Sequence, residues 1–231
     1  MTRLSIIMPV LNEAANIAGA LADLQNLRAA GHEIIVADGG SDDETATIAA
    51  SLCDRVIRTP RGRASQMNAG ADAACGDVLL FLHADTRLPR DAAQLILEGL
   101  TNPGKCWGRF DVAIDGAPRM LSVIAFMMNL RSRLSGVATG DQAIFVRASD
   151  FRRLGGFPQQ PLMEDIAFSA LAKKRSFPLC LTARVTTSGR RWEKHGVWRT
   201  ILLMWRLRAA YFFGANPARL AVRYGYCPPK N

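Results

Sequence analysis

The stretch GDVLLFLHADTRLP, residues 76–89, holds six apolar residues among the seven from Val78 to Ala84, His83 being the exception. It then breaks on Asp85, Thr86 and a proline-marked turn. An apolar run of this length, bounded by turn residues, reads as a strand covered on both faces. Three earlier runs share its character: LSIIMPV (4–10), EIIVAD (33–38) and RVIRT (55–59). Helical patterns separate them. Ile17, Leu21, Leu24 and Leu27/Arg28 recur at helical spacing before Gly31, and residues 42–52 and 64–75 are alanine-rich. The order β-α-β-α-β-α-β over the first 85 residues argues a mostly parallel α/β sheet with right-handed crossovers. Such sheets bind ligands beyond the carboxyl ends of their strands. There the sequence places Asp85 after the fourth strand, Asn12 and Glu13 after the first, and Asp38 after the second.

The second half is less regular. WGRFDVAID (107–115) and QAIFVRAS (142–149) have strand character, and RMLSVIAFMMNLRSRL (119–134) lies between them as a helix. LMEDIAFSALAKKR (162–175) reads as a helix with Glu164 and Asp165 in its first turn and Lys173, Lys174 and Arg175 in its last, the charge order the helix dipole favours. With 231 residues, 49% of them hydrophobic, and no repeat or linker, the chain is expected to fold as one unit. Cys53, Cys75, Cys106, Cys180 and Cys227 are scattered, with no C-x-x-C pair and no zinc-ligand spacing, so a reducing cytoplasm is expected. MTRLSIIMPVLNEAAN is interrupted by Pro9, Asn12 and Glu13 and reads as a first strand rather than a signal peptide.

The net charge of +9 is unevenly spread. Residues 1–165 carry 16 Lys/Arg against 19 Asp/Glu, whereas residues 166–231 carry 13 Lys/Arg against Glu193 alone. Such a basic block suits nucleic acid, anionic lipid or a phosphorylated substrate. Its segment 187–214 is too short and too charged to span a bilayer. As a basic amphipathic helix bearing Trp198, Trp205, Tyr211 and Phe212, it fits an anionic membrane surface as well as it fits a core or dimer contact.

Each candidate motif also has an ordinary explanation. In ADGGSDDET (37–45), Ser41 and Glu44 have capping-box spacing for the helix 42–52, while Asp38 stands where a carboxylate can accept from a base or a ribose hydroxyl. PRGRASQMNAGA (60–71) sets Arg61 and Arg63 around Gly62 at a helix start, which is either a solvated turn or a phosphate contact. Gly70, inside that helix, costs stability unless something packs close. HADT (83–86) offers Asp85 to a Mg or Mn ion whose remaining ligands are diphosphate oxygens and water, with His83 expected to be satisfied by a backbone partner. MED (163–165) is either first-turn charge compensation or a general base.

Taken in order, SIIMPVLNE, VADGGSDDET, GRASQMNAG, LLFLHADT, GDQAIFVR, MEDIAFSA and GRRWEKHG resemble the pattern of family 2 inverting glycosyltransferases of the GT-A fold, over about residues 4–195. More narrowly they look like a small bacterial subgroup of short, soluble members. The resemblance implies a Rossmann-like, mostly parallel sheet flanked by helices and followed by a basic helical segment. It divides a single domain, 1–231, into a nucleotide-sugar half (1–115), an acceptor and catalytic half (116–195) and a C-terminal segment (196–231). Pro9 and Glu13 are implied to line the nucleotide pocket, Asp38 to contact the base, Arg63 to face the phosphates and Asp85 to bind the metal. Asp165 corresponds to the catalytic base with Glu164 beside it, Asp141 and Gln142 lie near the acceptor, and Arg190, Arg191 and Trp192 match an R-W motif near the diphosphate or acceptor. The metal motif of the pattern is D-x-D; here it reads His83-Ala84-Asp85, with one aspartate in place of two. The transmembrane helices of polymer synthases have no counterpart, which argues against processive export.

The activity so implied is transfer of a sugar from a UDP- or GDP-linked donor to a hydroxyl of a sugar, lipid or small molecule, assisted by a divalent cation, Mg or Mn. The expected setting is the cytoplasm, with peripheral contact at the inner face of the cell membrane. A nucleotidyltransferase would open on a glycine-rich phosphate loop, and the first turn here, PVLNEAAN, has no glycine. The alternative is a non-catalytic module that binds a membrane surface or nucleic acid through its basic C-terminal third, which strong salt-dependent binding to nucleic acid without sugar turnover would favour; the acidic, carboxylate-tipped first half speaks against such a module.

Overall fold

A computed structural model describes residues 2–226, which leaves Cys227 outside the described residues. The first half runs β1 (Leu4–Val10), α1 (Ala14–Ala22), α2 (Gln25–Ala29), β2 (Glu33–Asp38), α3 (Thr45–Ala50), β3 (Arg55–Arg58), α4 (Arg63–Ala73), β4 (Val78–Phe81), β5 (Thr86–Arg87) and α5 (Ala92–Gly99). The second runs β6 (Trp107–Asp115), α6 (Met120–Ser135), β7 (Phe145–Arg147), α7 (Ala148–Leu154), α8 (Glu164–Ala172), β8 (Leu179–Ser188), α9 (Arg190–His195), α10 (Val197–Phe212) and α11 (Pro217–Tyr224).

All eight strands share one sheet in the order β3-β2-β1-β4-β7-β6-β8-β5. The nucleus β3-β2-β1-β4 is parallel throughout, as the alternation of strands and helices predicts. Beyond it β7 pairs antiparallel with β4 and β6, and β6 pairs parallel with β8, so the second half is mixed. Successive residues of the central strands feed opposite faces, as a two-residue side-chain period requires. Ile6, Met8, Ile34, Val36 and Leu80 enter one buried cluster, while Ile7, Ile35, Leu79 and Phe81 enter the other.

Several expectations are corrected. β3 is the outer strand of the nucleus, and its ends are exposed rather than covered on both faces. The helix expected over 42–52 spans only Thr45–Ala50, and Ser41 caps nothing: its hydroxyl donates to Asp38 and accepts from the Asn12 N–H at 2.9 Å. That arrangement ties the β1–α1 loop to the β2–α3 loop, a long-range use of serine that outcompetes the local cap. The strand expected over 142–149 shrinks to Phe145–Arg147, because Gly140–Gln142 form a 3-10 turn and α7 begins at Ala148.

Gly70 has the close neighbour its cost demanded. A Cβ there would lie 2.3 Å from Ile7 Cγ2 of β1, so α4 packs directly on the sheet. Gly70→Ala is expected to destabilise by about 1–3 kcal/mol, since β1 is central and cannot yield. Chemical denaturation of the two proteins checks this; equal midpoints would mean that the helix shifts freely.

The opening stretch explains the site's position. β4 pairs in parallel with β1, from Leu4↔Val78 to Ile7↔Phe81, and the chain then leaves the sheet's centre. After four intervening residues it rejoins the far edge as β5, where Thr86 pairs with Thr187 of β8. Asp85 sits on this crossing, and its carbonyl accepts the Ser188 N–H at 3.1 Å. The sheet therefore curls so that the carboxyl end of β4 meets the carboxyl end of β8 and the start of α9.

Candidate active site

At this junction lies a cavity of about 440 Å³. Pro9 and Glu13 of the β1 loop, Arg63 at the start of α4 and Asp85 line it from the first half. Asp141, Glu164, Arg190, Arg191 and Trp192 line it from the second. Nine of the twelve residues expected at a site are thus brought to one cavity; Asp38, Gln142 and Asp165 lie off its wall. Asp38 is 1% exposed and its carboxylate is taken up by the Ser41 N–H and hydroxyl. Gln142 is fully buried, accepting the Thr139 N–H at 3.2 Å and donating to Asn129, so it holds the turn that presents Asp141.

Backbone strain gathers at the same places. Asn12, Ala143 and Met163 are the non-glycine residues with positive φ (54°, 47° and 66°) among those described. Each stands next to a candidate residue: Glu13, Gln142 or Glu164. Conformations of this kind cost about 1–3 kcal/mol and persist where surrounding structure enforces them, commonly at functional sites. Asn12 is compensated in part, since its side-chain oxygen accepts the Asp42 N–H at 2.9 Å.

The carboxylate pair divides its work by position. Asp165 is half-buried and accepts N–H groups from Gly140 at 2.9 Å and from Ile166 at 2.7 Å, which fixes its orientation. Glu164 is 4% exposed and faces the cavity. Burial, reinforced by the neighbouring Asp165 charge and opposed by Arg63, pushes its carboxyl up to about 7. Burial draws the Arg63 guanidinium down, but Glu164, Tyr224, Asp141 and Asp165 outweigh it and hold Arg63 above its ordinary value. Although desolvation raises Asp141, His83, Arg63 and Arg208 keep it below the usual carboxylate range.

The Glu164 shift carries a stability consequence with a definite sign. A carboxyl whose folded pKa lies above its unfolded value retains a proton that the unfolded chain has released, so stability falls as pH rises from about 4.5 to about 7. Glu164→Gln, which does not titrate, is expected to gain about 1–3 kcal/mol over wild type at pH near 8 and to gain little near pH 4. Thermal melts of both proteins across that range measure it; a pH-independent difference would show that folding leaves the Glu164 carboxyl at its unfolded value.

His83 corrects its own expectation. It pairs with the Asp141 carboxylate at 3.5 Å rather than with a backbone group, and it packs so tightly on Gly140 that a Cβ there would lie 2.6 Å from the ring. It therefore steadies Asp141 and does not join Asp85. Arg190 does: its Nη2 lies 3.8 Å from Asp85 and 3.9 Å from Glu13, marking a place between two carboxylates that holds positive charge. No cluster of three or more His, Cys, Asp or Glu able to hold a metal is found among the described residues. The donor set still fits a hard divalent ion of the kind that takes one or two carboxylates and fills the rest of its shell with substrate phosphates and water.

Other wall and neighbouring residues escaped the sequence reading. Gln66, 4% exposed, donates through its side-chain amide to the Val10 and Ala37 carbonyls at 2.7 and 2.8 Å, locking together the carboxyl ends of β1 and β2. Tyr224 of α11 lies under the Arg191 guanidinium at 3.8 Å from its ring centroid and accepts from it through its carbonyl at 3.0 Å. Thr200 and Met204 of α10 close the cavity from the C-terminal side. A polar residue inside an alanine-rich helix was the one available signal for Gln66; the others depend on a fold-back that no local pattern encodes.

Comparison with known proteins places this arrangement. The profile of glycosyl transferase family 2 matches residues 5–154. A PGL/p-HBAD biosynthesis glycosyltransferase of Mycobacterium bovis is 41% identical over 91 residues, 36% of this chain and 36% of its own length. An uncharacterized glycosyltransferase of Mycobacterium tuberculosis is 32% identical over 96 residues, 41% and 42% of the two chains. The matched region thus spans between a third and a half of these relatives. Among solved structures, a mannosyltransferase of Pyrobaculum calidifontis in complex with GDP-Man and Mn2+ superposes with a TM-score of 0.66 at 22% identity, covering 99% of this chain and 66% of that one. S. aureus TarS 1-349 in complex with UDP-GlcNAc gives 0.65 at 18% identity, covering 81% and 59%. These likenesses establish the shared GT-A sheet, and with the profile covering most of the sheet and the β4-end aspartate, the chain belongs to glycosyl transferase family 2.

Proposed function

We propose that the protein transfers a sugar from a nucleoside-diphosphate donor to an acceptor hydroxyl with inversion at the anomeric carbon. One observation carries this reading: a single cavity at the carboxyl ends of the parallel strands unites Asp85, basic residues on two sides and Glu164, whose chain neighbour Asp165 lies just off the wall. In it, residues 1–115 take the nucleotide, with Pro9 and Glu13 along it and Asp38 at the base end; residues 116–195 take the acceptor near Asp141. Residues 196–226 close the site and meet the membrane. Donor structures of the similar proteins, with GDP-Man or UDP-GlcNAc, support a donor of this class.

Arg63, Arg190 and Arg191 orient the diphosphate and offset the charge it gains as the bond from the anomeric carbon to its oxygen breaks. A Mg or Mn ion held by Asp85, when bound, supplies further stabilisation of that charge. The acceptor oxygen attacks the opposite face of the sugar, the electron pair leaves with the diphosphate, and the hydroxyl proton passes to Asp165. Cavity position and a carboxyl that titrates near neutrality favour a second assignment, in which Glu164 takes that proton.

Calorimetric titration with UDP and with GDP, each with and without Mn²⁺, tests the reading. Binding of one nucleotide, strengthened by the metal, is the expected result; absence of binding of either would overturn it and leave the basic surface as the functional element.

A further inference from the structure

Eleven of the twelve large hydrophobic side chains that stand exposed among the described residues lie on α6, on α10 and the residue after it, or on α11. On α6 they are Val123, Phe126, Met127, Leu130 and Leu134, a spacing that lines one face of a helix. On α10 Trp198, Leu202, Trp205 and Phe212 repeat the pattern, and Phe213 extends it. Opposite faces of these helices are engaged: Leu121, Ala125 and Asn129 of α6 and Thr200 and Leu207 of α10 are buried. Ordinary surfaces scatter such residues singly, so two continuous stripes mark an interaction face.

The two helices flank the active-site cavity, whose wall includes Met128 of α6 and Thr200 and Met204 of α10. Their charge has one sign. From Gly116 to Gly140, and again from Lys194 to Tyr226, the chain has no Asp or Glu. Arg119, Arg199 and Arg206 are exposed on these helices or at their ends, and Arg219 and Arg223 are exposed on α11. On α6 itself Arg131 has buried Nε and Nη2 atoms without a hydrogen-bond partner. Desolvation and the neighbouring Arg208 of α10 lower its guanidinium to about 10, against the opposing pull of the Asp165 and Asp141 carboxylates. No helix among the described residues is long and apolar enough to cross a membrane.

We infer that α6 and α10 together form a platform that seats the cavity mouth on an anionic lipid bilayer, aromatic and aliphatic side chains entering the interface and arginines meeting lipid phosphates. Interfacial helices of this composition bind by apolar area and by attraction to anionic lipid together. Under the glycosyl-transfer reading proposed above, on which this last step rests, the acceptor is then a bilayer-borne amphiphile whose hydroxyl enters between α6 and α10. The role of α6 separates this from a lone C-terminal anchor.

The experiment uses the full chain, without nucleotide, in flotation with vesicles of phosphatidylcholine and of an equimolar phosphatidylcholine–phosphatidylglycerol mixture. Wild type is expected to float with the mixed vesicles and far less with the neutral ones, and brominated lipid is expected to quench its tryptophan fluorescence. Phe126→Ser with Leu130→Ser on α6, and separately Trp198→Ser with Trp205→Ser on α10, are each expected to weaken partitioning by at least about tenfold. Arg199→Glu with Arg206→Glu removes the preference for anionic lipid, at about fivefold per arginine. Unchanged melting temperature and nucleotide affinity show that the exposed-face variants remain folded. Failure of wild type to float, retention of wild-type partitioning by the α6 pair, or a stable dimer in which both stripes are covered would each overturn the platform. Vesicle binding without any sugar transfer would instead sink the glycosyl-transfer reading and leave the platform standing.

Discussion

Asp165→Asn is expected to bind donor nucleotide within about twofold of wild type while losing transfer by about 10²–10⁴-fold, the range a positioned general base supplies. The substitution keeps shape and retains an oxygen to accept the Gly140 N–H, so the loop carrying Asp141 stays in place. What it removes is the capacity to hold the acceptor's proton. Glu164→Gln provides the contrast, because Glu164 faces the cavity and titrates near 7. If Asp165 is the base, the glutamine variant loses about tenfold or less and its pH–rate profile loses the limb near 7. If the larger loss falls on Glu164→Gln, with Asp165→Asn nearly active, the roles are exchanged and Asp165 acts as a positioning residue. Steady-state rates for the two variants over pH 5–9, alongside nucleotide titrations, decide between them. An Asp165→Asn enzyme that turns over at wild-type rate would remove that residue from the chemistry.

The parallel nucleus was legible because it obeys local rules. Residues 4–10 and 33–38 form strands over the bounds of their apolar runs, since strands buried on both faces leave uninterrupted hydrophobic stretches, whereas the run that extends to Ala84 is a strand only over Val78–Phe81. Helix α10 likewise follows its periodicity. What failed is non-local. Ser41 has a capping-box neighbour in sequence, yet its hydroxyl reaches Asp38 and Asn12, and only the parallel pairing Val10↔Asp38 brings those groups together. β7 is three residues long because a 3-10 turn and a helix claim its flanks, a competition that depends on Gln142 being sealed against Asn129. The site was legible as a set of residues through a family pattern, whereas its internal division was not. Whether Glu164 or Asp165 faces the cavity turns on the left-handed backbone at Met163, and nothing in the letters MED announces a positive φ.

Asp85→Ala is expected to cost about 10²–10³-fold in turnover, comparable to deleting one group that stabilises charge developing on a leaving oxygen. The aspartate side chain is 33% exposed and its main packing is through the backbone, so stability is expected to change little. The outcome for metal dependence is more discriminating than the loss itself. With wild type, Mn²⁺ is expected to strengthen nucleotide binding; in the alanine variant that strengthening vanishes, because His83 is committed to Asp141 and Glu13 is, among the described residues, the one other carboxylate paired with Arg190. The guanidinium between Asp85 and Glu13 sharpens the test further. Arg190→Ala removes the positive charge that competes with a divalent ion for Asp85, and it also removes a diphosphate contact. Metal affinity measured without nucleotide is therefore expected to rise in Arg190→Ala even as nucleotide affinity falls. Should both fall together, or should wild type bind nucleotide equally well with and without Mn²⁺, the charge stabilisation belongs to Arg63, Arg190 and Arg191, and Asp85 acts by holding Arg190 against the donor.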